Sequence, residues 1–183
     1  MIACWKPVLE EADVRRIAER IGEATGEIEV VYYPAWLLTL EVVRRLPFLG
    51  ASRLLMRGIA DGVSGKIAVL GDEVTKCEVD ADPSRIVDTR LEMDSKTQSM
   101  LEERFLPFVL TRFRTASVAP SVRIVHAEHV YKKIFRAQVI ASGGRRMLYV
   151  DTATREYACL PVELISRGEP NDAPVVLGTP YMA

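Results

Sequence analysis

An excess of charge of either sign is missing from this 183-residue chain: 24 Lys and Arg face 25 Asp and Glu, for a net charge of −1. That balance removes any global reason to expect nucleic acid or an anionic membrane as partner. Cysteine is scarce as well. Cys4, Cys77 and Cys159 are widely spaced, and no C-x-x-C pair occurs. This argues against a disulfide scaffold or a zinc ribbon, suits a reducing compartment, and leaves the thiols as buried, inert side chains. Long apolar runs are missing too. The longest, Pro34 to Leu40, falls far short of the ~20 residues a membrane helix needs. Residues 1–7 hold no basic region followed by an apolar run of signal-peptide length. The expectation is a cytoplasmic protein with no transmembrane segment.

The common catalytic signatures are also missing. No Ser stands in a G-x-S-x-G elbow. Gly62-Val-Ser-Gly-Lys66 looks toward a phosphate-binding loop, but Ala60 replaces the first glycine and Ile67 the magnesium hydroxyl. His126-Ala-Glu128 copies the first half of a zinc deaminase signature without its Pro-Cys-x-x-Cys half. On a strand His126 and Glu128 share one face while His129 points to the other, so they do not chelate as a unit. No catalytic residue, metal or cofactor is expected.

What is present is a chain 49% hydrophobic and 27% charged, long enough to bury a core as one domain or two small packed ones. Val14, Ile17, Ala18 and Ile21 follow the i, i+3, i+4, i+7 pattern of a helix over 10–23, with Glu10, Glu11 and Asp13 in its first turn. A long strand over 27–43 follows. Ile28, Val30, Tyr32 and Pro34 share one face, and Glu29, Val31, Tyr33 and Ala35 the other. Pro34 predicts an edge position or a bulge. Residues 44–56 read as an apolar, arginine-flanked insertion that interrupts the hairpin. Strands over 57–60 and 66–70 enclose the turn Asp61-Gly-Val-Ser-Gly65, and 73–79 reads as a further strand.

Residues 80–90, with Pro83, read as a joint. Ser95-Lys-Thr-Gln98 fits a capping box, and Met100, Leu101, Phe105, Phe108, Val109 and Phe113 continue an apolar stripe. Pro107 predicts a kink or break there. Strands over 121–141, 145–151 and 156–160 follow, with a turn at 142–144. The tail from Ser166 is expected to be extended. Each half thus reads as helix, long strand, strand, turn, strand. The expectation is an α+β fold of two tandem helix-plus-antiparallel-sheet repeats, 1–79 and 80–165, with a tail at 166–183.

The strand with aromatics and the turn Asp-x-x-[Ser/Thr]-Gly-Lys, here Asp61, Ser64, Gly65 and Lys66, resemble PepSY-like domains. Val150, Asp151 and Thr154 repeat the pattern, with Arg155 where that family has Gly. The resemblance implies a module that binds or regulates other proteins, not a catalyst. The leading expectation is accordingly a non-enzymatic binding or assembly protein. It would self-associate as a homo-oligomer, or bind another protein, through 36–40 and the insertion with Phe48 and Leu49. The alternative is a small-molecule-binding protein or enzyme with a site between the repeats, near Tyr32, Trp36, Asp61 and His126, where Asp151 could join Asp61. A nucleic-acid surface through Arg104, Arg112, Arg114 and Arg123 is disfavoured by the acids that balance them.

Overall fold

The structure, a computed structural model, describes residues 1–46, 50–71, 74–113 and 119–162. In chain order these form β1 (Ile2–Trp5), α1 (Glu11–Ile21), β2 (Glu23–Leu46), β3 (Gly50–Asp61), β4 (Ile67–Leu70), β5 (Lys76–Val79) and a 3-10 turn (Pro83–Arg85). Then come α2 (Ser95–Arg112), β6 (Ser121–Ala141), β7 (Gly144–Asp151) and β8 (Tyr157–Pro161). The class is mixed α+β. The hydrogen-bonded strand order is β4-β3-β2-β6-β1-β5, with β7 and β8 continuing from β6. Contacts divide the chain into two compact units, neither continuous in sequence. The long strands β2 and β6 each give one part to each unit, dividing after Pro34 and after His129.

Unit 1 gathers residues 1–34, 74–88 and 130–162. The backbone N–H of Glu10 donates to Asp13 Oδ2 at 3.0 Å and closes the start of α1. With 11 residues, α1 is below the ~12–15 that an isolated helix needs in water, so its stability comes from packing. Val14 and Ala18, one turn apart, are fully buried against Phe135 and Val139 of β6 and Leu148 and Val150 of β7. Each large apolar side chain buried there contributes roughly 1.5–3 kcal/mol. The β6–β7 hairpin closes through Ser142 and Gly143, both at positive φ (52° and 76°), the requirement of a two-residue turn that matches strand twist. β1 takes an interior place in the sheet, between β6 and β5. It runs parallel to β6 at Cys4↔Tyr131 and antiparallel to β5, so both its edges are occupied.

Unit 2 gathers residues 35–46, 50–71, 89–113 and 119–129. α2 lays Leu101, Phe105 and Val109, spaced four apart, on Leu38, Leu40, Val42, Met56 and Ala60. Gly58 is what lets the helix approach: a Cβ there would sit 2.6 Å from Phe105 Cζ. Arg104 Nη1 donates to the Gly65 carbonyl at 2.6 Å, and Glu102 Oε1 accepts from the Ile124 N–H at 2.7 Å.

Several expectations change. Residues 44–56 are no insertion folded over the hairpin. The described part is the hairpin itself, with β2 and β3 paired from Ala35↔Asp61 to Leu46↔Gly50. Leu54 and Leu55 are both exposed beside buried Met56, which breaks the alternation that announces a strand. Arg44 stacks its guanidinium on Phe113 at 4.4 Å instead of standing in a loop. Pro34 lies on an interior strand, and its missing N–H is tolerated because the β3 ladder ends one residue on, at Ala35. The cap of α2 is Asp94, whose Oδ1 accepts from Thr97 N at 2.7 Å, one residue before the Ser95 box. Pro107 does not break α2. Pro107 and Glu103, whose carbonyl loses its partner, are both on the exposed side where water can serve that carbonyl. The tail from Ser166 lies outside the described residues.

Candidate functional site

In unit 1 the β2 alternation sends Ile28 and Val30 toward the α1 core and Glu27, Glu29, Val31 and Tyr33 to the opposite face. The same parity turns Ile134 and Arg136 of β6 and Tyr149 of β7 to that face, since Phe135, Val139, Leu148 and Val150 serve the core. No helix among the described residues covers this face, and it opens as a cleft of about 490 Å³. That is within the ~300–1,000 Å³ usual for small-molecule sites. Tyr33, Ile134 and Tyr149 are buried at its floor.

The rim is the segment Ser84–Val87. Asp82 Oδ1 accepts from Ser84 N at 2.9 Å and starts the 3-10 turn there. Ile86 then bridges Tyr32 in parallel fashion, and Val87 N donates to the Tyr32 carbonyl at 2.9 Å. Arg136 is the polar centre. It stands opposite Tyr149 in the β6–β7 register, and its Nε donates to Glu29 Oε2 at 2.5 Å. Burial pushes the Tyr149 hydroxyl above its ordinary value, with the nearby Arg136 charge acting the other way. The phenol is thus a proton donor at neutral pH and not a base.

Further along the same faces of β6 and β7, the ammonium of Lys132 pairs with Asp151 Oδ2, both side chains buried. The Trp5 ring lies 6.0 Å from that ammonium. Asp151 Oδ1 accepts from Ala153 N at 2.9 Å and Thr154 N at 3.2 Å, so the carboxylate also caps its turn. In unit 2 Asp61 Oδ1 accepts in the same way from Val63 N at 3.1 Å and Ser64 N at 2.5 Å.

The expected site residues fall as follows. Tyr32 belongs to unit 1; its hydroxyl is raised by burial and by the nearby Cys4 thiol. Trp36, Asp61 and His126 belong to unit 2. Trp36 Nε1 donates to the Leu91 carbonyl at 2.9 Å. His126 is exposed, and the imidazole that meets Trp36 is His129, with ring centroids 5.0 Å apart. His129 Nε2 lies 2.8 Å from Thr89 Oγ1, and burial lowers its pKa. Asp61 and Asp151 each cap their own turn. Phe48 and Leu49 lie outside the described residues. Arg136, Tyr149 and Lys132 escape sequence reading because only β6–β7 pairing brings them to one face. The alternation along β6 puts Lys132, Ile134 and Arg136 on one face, but it announces neither Tyr149 nor the burial of Lys132.

Among the described residues no group of three or more His, Cys, Asp or Glu is arranged to hold a metal ion. None of the described helices is long and apolar enough to cross a membrane. Comparison with family models, curated proteins and solved structures finds no match. Fold and site define a mixed α+β protein with a polar cleft on a sheet face of unit 1.

Proposed function

We propose that this chain is a non-enzymatic binding module whose unit 1 cleft seats a small amino-acid-like zwitterion. The observation that carries the reading is Arg136 in the cleft lining, bonded through Nε to Glu29 and opposite Tyr149 in the strand register. A ligand carboxylate displaces Glu29 from the guanidinium fork, which takes carboxylates in two parallel bonds. The ligand ammonium then pairs with the released Glu29, with Glu27 on the same face adding to the negative field, while Val31, Ile86 and Ile134 receive its apolar part. The protonated Tyr149 hydroxyl donates to the carboxylate, a role of binding and not of proton abstraction. A thermal-shift screen of free amino acids against their N-acetyl and amide forms tests this. Free zwitterions should raise the midpoint, singly blocked forms should not, and Arg136→Ala should lose the response. Equal response of Arg136→Ala would remove the cleft from the account.

We also read the chain as an internal duplication of 1–79 and 80–165, the pattern behind the PepSY-like resemblance. Several paired details support it. Asp61 sits opposite Ala35 and Asp151 opposite Ile134. Gly65 N donates to Asp61 O at 3.0 Å and Arg155 N to Asp151 O at 2.9 Å, with Gly65 and Arg155 at φ 65° and 64°. The lead-in to each helix docks alike: Val8 and Leu9 donate to Thr152 O, and Arg90 and Leu91 to Gly62 O. Self-association is a second reading, favoured by exposed Leu54 and Leu55 on the β2–β3 hairpin. Light scattering on the full chain checks it: a homo-oligomer that Leu55→Asp or Phe48→Asp dissociates supports it, and a monomer ends it.

A further inference from the structure

The antiparallel pairing of β1 with β5 sets Cys4 directly opposite Cys77, between the rungs Ala3↔Glu78 and Trp5↔Lys76. Lys6 N donates to the Thr75 carbonyl at 2.8 Å and extends the same register past Trp5. Directly opposed residues on antiparallel strands have Cα atoms ~4.5 or ~5.5 Å apart and side chains on one face. Both spacings lie inside the roughly 4.4–6.8 Å window of a disulfide. The two thiols are free, Cys4 fully buried and Cys77 half-buried. Cys4 Sγ donates to the Trp5 carbonyl at 3.4 Å.

We propose that Cys4 and Cys77 form an oxidisable dithiol, closed to an intrachain disulfide by a hydroperoxide, that fastens β1 to β5. The order of events follows from exposure. Burial, and then the nearby Cys77, push the Cys4 thiol up to about 11, so Cys4 supplies little thiolate at neutral pH. Cys77 is the half-buried partner and reacts first. Its sulfur attacks the peroxide, the O–O bond breaks, and a sulfenic acid and one water form from thiol and hydrogen peroxide. Cys4 sulfur then attacks the Cys77 sulfenic sulfur. The S–O bond breaks, the S–S bond forms, and the thiol proton leaves with the hydroxyl as a second water. The two thiols lose two electrons and the peroxide gains them. The bond would hold Trp5, the residue after Cys4, over the buried ammonium of Lys132.

The full chain is treated with hydrogen peroxide, unfolded in guanidinium with N-ethylmaleimide, and weighed intact and after non-reducing digestion. The expected result is a loss of two hydrogens, alkylation at Cys159 alone, and a linked peptide pair containing Cys4 and Cys77. Cys159→Ser should leave that link unchanged, and Cys4→Ser should let Cys77 proceed to the sulfinic acid. Oxidation should raise the thermal midpoint, and dithiothreitol should return it. Three alkylated thiols, over-oxidised Cys77 beside alkylated Cys4 in the unsubstituted chain, or a link through Cys159 would each overturn the proposal. The readout on the unsubstituted protein needs no variant to fold.

Discussion

The Nζ of Lys132 meets Oδ2 of Asp151 with both side chains withdrawn from solvent. Two buried charges survive in a core only as a pair, because desolvating either alone costs several kcal/mol. Asp151→Asn keeps an acceptor for the Ala153 and Thr154 amides but strands the ammonium. Urea unfolding should show a loss of ~3–5 kcal/mol. The double variant Lys132→Met, Asp151→Asn should recover much of it. A double variant as unstable as the single would mean that the pair is not the source of the loss.

Gly58 is a packing requirement of unit 2. Gly58→Ala puts a methyl 2.6 Å from Phe105 Cζ, and an overpacked core loses roughly 1–3 kcal/mol. Phe105→Leu in the same chain should recover part of that loss in denaturant titrations. An undiminished midpoint for Gly58→Ala alone would contradict the packing of α2 on β3.

The turn after Asp151 holds a residue that its geometry does not favour. Arg155 has φ 64°, where Gly65 fills the corresponding place after Asp61. Left-handed backbone costs a side-chain-bearing residue of order 1 kcal/mol or more, partly offset by the greater freedom of glycine when unfolded. Arg155→Gly should stabilise the protein by about 0.5–1 kcal/mol. Gly65→Ala should destabilise it, and opposite signs in one set of melts are the check.

His129 gives a pH signature. Burial lowers its pKa below the ordinary 6.5, so between the two values the unfolded chain binds the proton that the folded chain refuses. This contribution is complete above the unfolded value and is lost as pH falls below it toward the folded one. The thermal midpoint should decline across that acid window, and His129→Gln should flatten this part of the profile. A slope unchanged in His129→Gln would assign it elsewhere.

How much of this was legible in the sequence depended on the range of the contacts involved. β6 reads end to end, from Ser121 to Ala141, because alternating apolar residues and a Ser-Gly turn are local signals. The start of α1 is legible for the same reason, in Glu10, Glu11 and Asp13. The outer half of β3 is hidden, since Leu54 and Leu55 face solvent and imitate an apolar loop. The burial of Lys132 is equally hidden: a lysine between Tyr131 and Lys133 reads as surface until Asp151 arrives from the neighbouring strand. Cys4 and Cys77, far apart in the chain, meet only through a ladder that no local pattern announces. The cleft face is half legible, in the alternation of Glu29, Val31 and Tyr33, but its centre, Arg136 against Tyr149, belongs to strand pairing.

The central claim, that the unit 1 cleft seats a small zwitterion, is tested most directly by native mass spectrometry of the 20.5 kDa chain sprayed with a mixture of free amino acids. The account predicts an adduct of one amino acid per chain, lost in Arg136→Ala and retained in Leu55→Asp. An absent adduct, or one that Arg136→Ala keeps undiminished, would contradict it.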